Sequence, residues 1–212
     1  MSSKKTATGS TRDARLAQAR KEQQAAERKR TLLLVSAAGL VIAFIVAAVG
    51  YAIVNESDDR QAASDLAGVS TFEYAGGKHT PSQVDYKESP PVGGEHNPAW
   101  LNCGVYDTPV PNENVVHSLE HGAVWIAYEP DLAEEQLDQL KDITPDTYAV
   151  LSPYKGKMES PIVVSAWGHQ LEVDSADDPR IKGFIKEYRQ GKQTPEPGAA
   201  CTGGVGADGQ LQ

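Results

Sequence analysis

The sequence predicts an α/β (α+β) protein: an N-terminal transmembrane helix followed by one extracytoplasmic domain with a mixed β-sheet and about two covering helices. Three observations carry this prediction. Residues 31–54 contain no charged side chain. Two later runs, Gly122–Tyr128 and Pro161–Trp167, are apolar at nearly every position, as strands buried on both faces are. Two further stretches space their apolar residues by three and four, as amphipathic helices do.

The 24 residues Thr31–Val54 are mostly Leu, Val, Ile, Ala and Gly. As a helix they cross about 30 Å of hydrocarbon at roughly 1.5 Å per residue. Residues 1–30 carry nine Lys or Arg against three acids, a net +6, so residues 31–212 hold −15 within a chain total of −9. The positive flank stays inside, which makes 1–30 a basic cytoplasmic tail and the chain a single-pass cell-membrane protein with its C-terminal domain outside. A cleaved signal peptide is the rival reading, because Ala48 and Gly50 are small. The apolar run, however, exceeds a signal core of about 7–15 residues. Residues 55–67 read as a polar stalk, 68–201 as the domain, and the Gly-rich 202–212 as a disordered tail. An acidic domain argues against nucleic acid as a partner held by phosphate neutralisation, which needs clustered Lys and Arg. The membrane itself is the partner that the sequence names.

Within the domain, Val69–Tyr74 reads as a strand ending at Gly76-Gly77, and Val84–Tyr86 as another. Ser89–Asn97 combines prolines and glycines in an irregular loop that carries His96. Trp100–Tyr106 returns to extended structure, and Pro109 with Pro111 opens a loop. After the strand Gly122–Tyr128, Asp131 reads as an N-cap with Glu134 completing a capping box, and Leu132, Leu137, Leu140 and Ile143 form the helix stripe. Tyr148–Leu151, Pro161–Trp167 and His169–Val173 follow as strands. Asp178-Pro179 then starts a last helix faced by Ile181, Phe184, Ile185 and Tyr188. From Gly122 this order also closes a thioredoxin-like domain, which leaves that topology open. The Cys-x-x-Cys of a redox enzyme is absent.

The chemistry concentrates in His117-Ser118-Leu119-Glu120-His121-Gly122. Residues four apart lie roughly 6 Å from each other in a helix but about 13 Å apart along a strand, so only a helical turn lets His117 and His121 hold one ion. Gly122 is placed to stop such a turn. The five residues also fit H-x-x-E-H, in which two His bind zinc and the Glu, here Glu120, serves as general base. The plainer alternative is a pair of hydrogen-bonded histidines at a strand end. All five histidines, His79, His96, His117, His121 and His169, follow the apolar segment. Imidazole suits zinc and copper(II), and His79 and His96 lie in loops, where ligands are usually presented. His117, His121, His96 and His79 are therefore the candidate metal ligands, with copper or zinc as the cofactor. His169 reads as a surface residue, Met158 as a gap filler, and Trp100, Trp125 and Trp167 as core.

Cys103 and Cys201 are the two cysteines, both on the outer side where disulfides persist. Pairing them closes a loop of about 100 residues, worth something like 4–5 kcal/mol in the entropic account. The alternative is Cys103 as a thiolate ligand beside the histidines.

The segments P-P-V-G-G-E-H at 90–96, N-C-G-V-Y at 102–106, V-H-S-L-E-H-G at 116–122 and A-W-G at 166–168 occur in this order. On them the chain resembles a domain-of-unknown-function family, DUF3105, of membrane-anchored, mainly actinobacterial exported proteins. The resemblance covers about Val69–Glu196, and its matched positions include His79, Tyr86, His96, Cys103, Tyr106, His117, Glu120 and His121. The family usually has Ser where this chain has Gly93. The resemblance implies location and domain limits and supplies no activity. Three functions remain in view: transition-metal binding, an accessory or scaffold domain for an envelope or membrane protein complex, and a zinc-dependent hydrolase.

Overall fold

The computed structural model describes residues 66–211, together with positions 28, 29, 41, 44–47 and 49. The chain divides into two units, Met1–Glu56 and Ser57–Gln212. The expected cytoplasmic tail, transmembrane helix and stalk lie almost wholly outside the described residues. Those described between 41 and 49 are helical, and Val41, Phe44, Ile45, Val46 and Val49 are exposed. Among the described residues no helix is long and apolar enough to cross a membrane.

The second unit is a mixed α/β domain. Its elements run β1 (Ser70–Thr71), β2 (Gly104–Val105), α1 (Asn112–Glu120), β3 (Val124–Tyr128), α2 (Glu134–Ile143), β4 (Ala149–Pro153), β5 (Ile162–Ala166), β6 (His169–Val173) and α3 (Pro179–Tyr188). The six strands form one sheet in the order β1-β6-β5-β3-β4-β2. β4 runs parallel to both β3 and β2, whereas β5 is antiparallel to β3 and β6 is antiparallel to β5 and β1.

Every residue of β3, β4 and β5 is buried, because both faces of the sheet are covered. Strand alternation sends Val124, Ile126, Leu151, Ile162, Val164 and Leu171 to one face, where they meet Leu140 of α2 and Ile181, Phe184 and Ile185 of α3. It sends Trp125, Ala127, Val150 and Val163 to the other, where they meet Val115, Val116 and Leu119 of α1. The terminal helix starts as its sequence demands: the Asp178 carboxylate accepts the Arg180 N–H at 2.9 Å and Pro179 occupies the first turn.

Several expectations are corrected. Val84–Tyr86 is not a strand; the Val84 N–H is taken by Glu113 Oε1 at 3.0 Å rather than by a neighbouring strand. The strand at 69–74 shortens to two residues. The second helix starts at Glu134 behind Ala133 without a side-chain cap, so Asp131 and Glu134 form no capping box. Residues 202–211 do not behave as the disordered tail expected of their glycines. Val205 bridges Leu101 and Leu211 and is buried, the Val205 N–H donates to Trp100 O at 2.9 Å, and the Gly204 N–H donates to Asn102 Oδ1 at 2.8 Å. The glycines serve close packing there: a Cβ on Gly204 would stand 2.2 Å from Trp100 O.

Candidate metal centre

The helix α1 is the element around which the centre is built. It follows Pro111, whose φ of −66° suits the start of a helix, and Glu113 places an acid in the first turn. It ends in a Schellman turn: the Gly122 N–H donates to Leu119 O and the Ala123 N–H to Ser118 O, each at 2.9 Å. Gly122 adopts a φ of +96°, which a side chain rarely allows. His117, Glu120 and His121, three and four apart, therefore project from one side. Residues 114–120 are all buried, so this stretch turns no face to solvent, and Val115-Val116 looks strand-like when read alone.

Two loops strap across that polar side. His79 and His96 form an isolated bridge, with the Thr80 N–H donating to His96 O at 2.7 Å and the His96 N–H to Lys78 O at 3.0 Å. Further along, the Leu101 N–H donates to Asn114 O at 2.9 Å and the Ser118 hydroxyl to Leu101 O at 2.7 Å. The three rings of His79, His96 and His117 consequently sit 4.8–4.9 Å apart, and His121 lies 4.5 Å from His117.

Backbone carbonyls choose the tautomers. His96 Nδ1 lies 2.8 Å from Gly94 O, His117 Nδ1 lies 2.7 Å from Asn97 O, and His121 Nδ1 lies 2.6 Å from Ala200 O. A carbonyl only accepts, so each Nδ1 carries the hydrogen. In the neutral ring each Nε2 is left with a lone pair. Burial is the largest influence on His117 and lowers its pKa to about 4, which keeps that ring neutral and its lone pair free at physiological pH.

Glu120 is fully buried. Its Oε1 accepts the Gly77 N–H at 2.5 Å, while Oε2 lies 3.0 Å from His96 Nε2 and 3.6 Å from His79 Nε2. Gly76 is required by this packing, because a Cβ there would stand 2.8 Å from Glu120 Oε1. Among the described residues two candidate ligand sets result. His79, His96, His117 and Glu120 form an inner set, and His117, His121 and Glu196 an outer one; within each, the ligand atoms lie within 4.8 Å of one another. Trp167 packs 5.8 Å from His96, and Trp100 5.9 Å from His117 and 5.3 Å from His121, so aromatic rings flank these three imidazoles, while the His79 side chain is 38% exposed.

A family described as protein of unknown function (DUF3105) has a model that matches residues 78–203. The chain belongs to this family. The DUF3105 match spans every residue of both ligand sets. No curated protein and no solved structure matches the chain.

Of the histidines singled out from the sequence, the fold gathers His79, His96 and His117 into one set and assigns His121 to the adjoining one. His169 stands apart: its Nδ1 lies 3.0 Å from Trp167 O and its ring packs 4.4 Å from Tyr188. Cys103 is not a thiolate ligand. It is joined to Cys201 across a Cα–Cα distance of 5.4 Å. Met158 is buried in the core on the α1 side. Sequence reasoning missed Glu120 as a candidate ligand, having assigned it only the part of a general base, and missed Glu196 altogether. Glu196 stands five residues before Cys201, so the disulfide was the one signal that it returns to the body of the domain.

Proposed function

We propose that this is a membrane-anchored extracytoplasmic domain that binds one divalent transition-metal ion, zinc or copper(II), through His79, His96, His117 and Glu120. One observation carries the reading: His96 Nε2 faces Glu120 Oε2 at 3.0 Å while its other nitrogen is engaged by Gly94 O. With a neutral ring, both facing atoms are acceptors. A shared cation resolves the conflict, and it supplies the positive charge that a fully buried carboxylate needs. The carbonyl-bound Nδ1 atoms are the orienting partners that metal-bound imidazoles ordinarily have. Three nitrogens and one oxygen match the borderline donors that zinc and copper(II) accept.

The external, anchored location is supported by the 24 uncharged residues of 31–54, the basic flank before them and the Cys103–Cys201 disulfide. The order and directions of β3, β4, β5 and β6 support a thioredoxin-like topology for the closing part of the sheet. Its cysteines, 98 positions apart, serve as a brace rather than a dithiol.

Zinc hydrolysis is favoured by the helical spacing of His117 and His121. It is opposed by Glu120, which is fully buried, gives Oε1 to the Gly77 N–H and turns Oε2 into the inner set. A general base must reach a water. The accessory or scaffold alternative predicts a domain whose folding and partner capture ignore metal.

The test is metal analysis of the full chain purified in detergent, stripped, and reconstituted with zinc or copper(II). One equivalent per chain is expected, with affinity reduced at least about 100-fold in His96→Ala and His117→Ala, beyond what loss of an orienting partner causes. Substoichiometric metal in the native chain would overturn the proposal.

A further inference from the structure

The inner set does not use every group on the polar side of α1. His121 is 4% exposed; its Nδ1 lies 2.6 Å from Ala200 O and its Nε2 3.5 Å from Glu196 Oε2. His117, His121 and Glu196 each turn one ligand atom to within 4.8 Å of the others, as the inner set does. The surroundings hold the arrangement in place. The Glu196 N–H donates to Glu120 O at 3.1 Å, the Cys103 N–H to Cys201 O at 2.8 Å and the Tyr148 hydroxyl to Ala199 O at 2.8 Å. The side chain of Gln190 donates to His121 O.

We propose that His117, His121 and Glu196 form a second position for a divalent transition-metal ion, which competes with the inner position for the lone pair of His117. The class of ion rests on the reading of the inner set. His117 has one ring nitrogen committed to Asn97 O, so the other can serve one ion at a time. Occupancy of the two positions is therefore mutually exclusive for full coordination. The outer position has three ligands, and the Glu196 side chain is 46% exposed. Three protein ligands leave a coordination place for water or an incoming donor. The outer position is thus the weaker, exchangeable one, and the inner position, with four ligands and a fully buried carboxylate, is the one that retains the ion.

The experiment is copper(II) titration of the full chain in detergent, read by electron paramagnetic resonance and equilibrium dialysis. The variants are Glu196→Gln, His79→Ala/Glu120→Gln, and the triple His79→Ala/Glu120→Gln/Glu196→Gln. Gln at 120 retains an acceptor for Gly77 and gains a donor for His96; circular dichroism checks folding, and His79→Gln replaces His79→Ala should the alanine variant not fold. The native chain and Glu196→Gln should show the same spectrum for the first equivalent. The double variant should bind one copper at least about tenfold more weakly, with altered hyperfine splitting, and the triple variant should lose that ion. If the folded double variant binds nothing, or the triple variant keeps its spectrum, the second position is wrong while the inner one stands. If the native chain binds no copper, both are wrong.

Discussion

The two faces of one sheet have been put to different uses. On one, Val124, Ile126, Leu151, Ile162, Val164 and Leu171 meet Leu140, Ile181 and Phe184, an interior without a charge. On the other, Trp125, Val150 and Val163 meet Val115, Val116 and Leu119 of a helix that also buries His117, Ser118 and Glu120. Burial of such groups costs several kcal/mol unless each finds a partner, and well-packed apolar residues of similar size would often be at least as stable. The first face is explained by folding alone. The second is explained by folding only in part, and the polar remainder converges on one place.

The largest expected effect breaks the first face. Phe184→Ala removes a fully buried ring and should cost about 3–5 kcal/mol in urea unfolding while leaving metal affinity unchanged. A parallel fall in affinity would show that the faces are not separable. Next, Cys201→Ser should cost roughly 2–4 kcal/mol, the usual yield of a disulfide and less than the entropic account of a 98-position loop allows. It should also loosen the Ala200 and Glu196 contacts; equal unfolding midpoints with and without reductant would contradict this.

A change of opposite sign sharpens the comparison. Glu120→Gln removes the buried charge and lets the amide donate to His96 Nε2, so the metal-free protein should gain about 1–2 kcal/mol while the metal-loaded protein loses stability against the native chain. Equal shifts with and without metal would remove Glu120 from the ligand set. Acid acts on the same face. Burial holds His117 at about 4, below its ordinary 6.5, so the unfolded chain takes up the proton first. This contribution to metal-free stability is complete above 6.5 and is lost as the pH falls from there through 4. Unfolding midpoints measured from pH 7 to 4 should fall less in His117→Gln than in the native chain. The smallest effect returns to the first face: Asp178→Ala should cost about 1 kcal/mol through the lost cap and leave metal binding alone.

What could be read from the sequence followed the same division. Gly122–Tyr128 and Pro161–Trp167 announced central strands through continuous apolarity, and Asp178-Pro179 announced its helix through cap chemistry. α1 was legible only at its end, through Gly122, because burial of residues 114–120 erases the amphipathic period. The candidate inner ligands His79, His96 and His117 were visible as a count of histidines in the acidic segment that follows the apolar run. Their meeting depends on a bridge between two loops 17 positions apart, which no local pattern encodes. Glu196 entered through the disulfide and through its backbone bond to Glu120, both long-range contacts. The tail at 202–211 misled because glycine marks both disorder and close packing, and Trp100 decides between them here.

The central claim is that the polar side of α1 holds an ion among three imidazoles and one carboxylate. X-ray absorption at the zinc edge of the reconstituted chain tests it most directly. The account predicts a first shell of four nitrogen and oxygen neighbours at about 2.0–2.1 Å with the outer-shell scattering of three imidazoles, reduced to two in His96→Ala. A shell with sulfur neighbours, or one whose imidazole scattering is the same in His96→Ala, would contradict it.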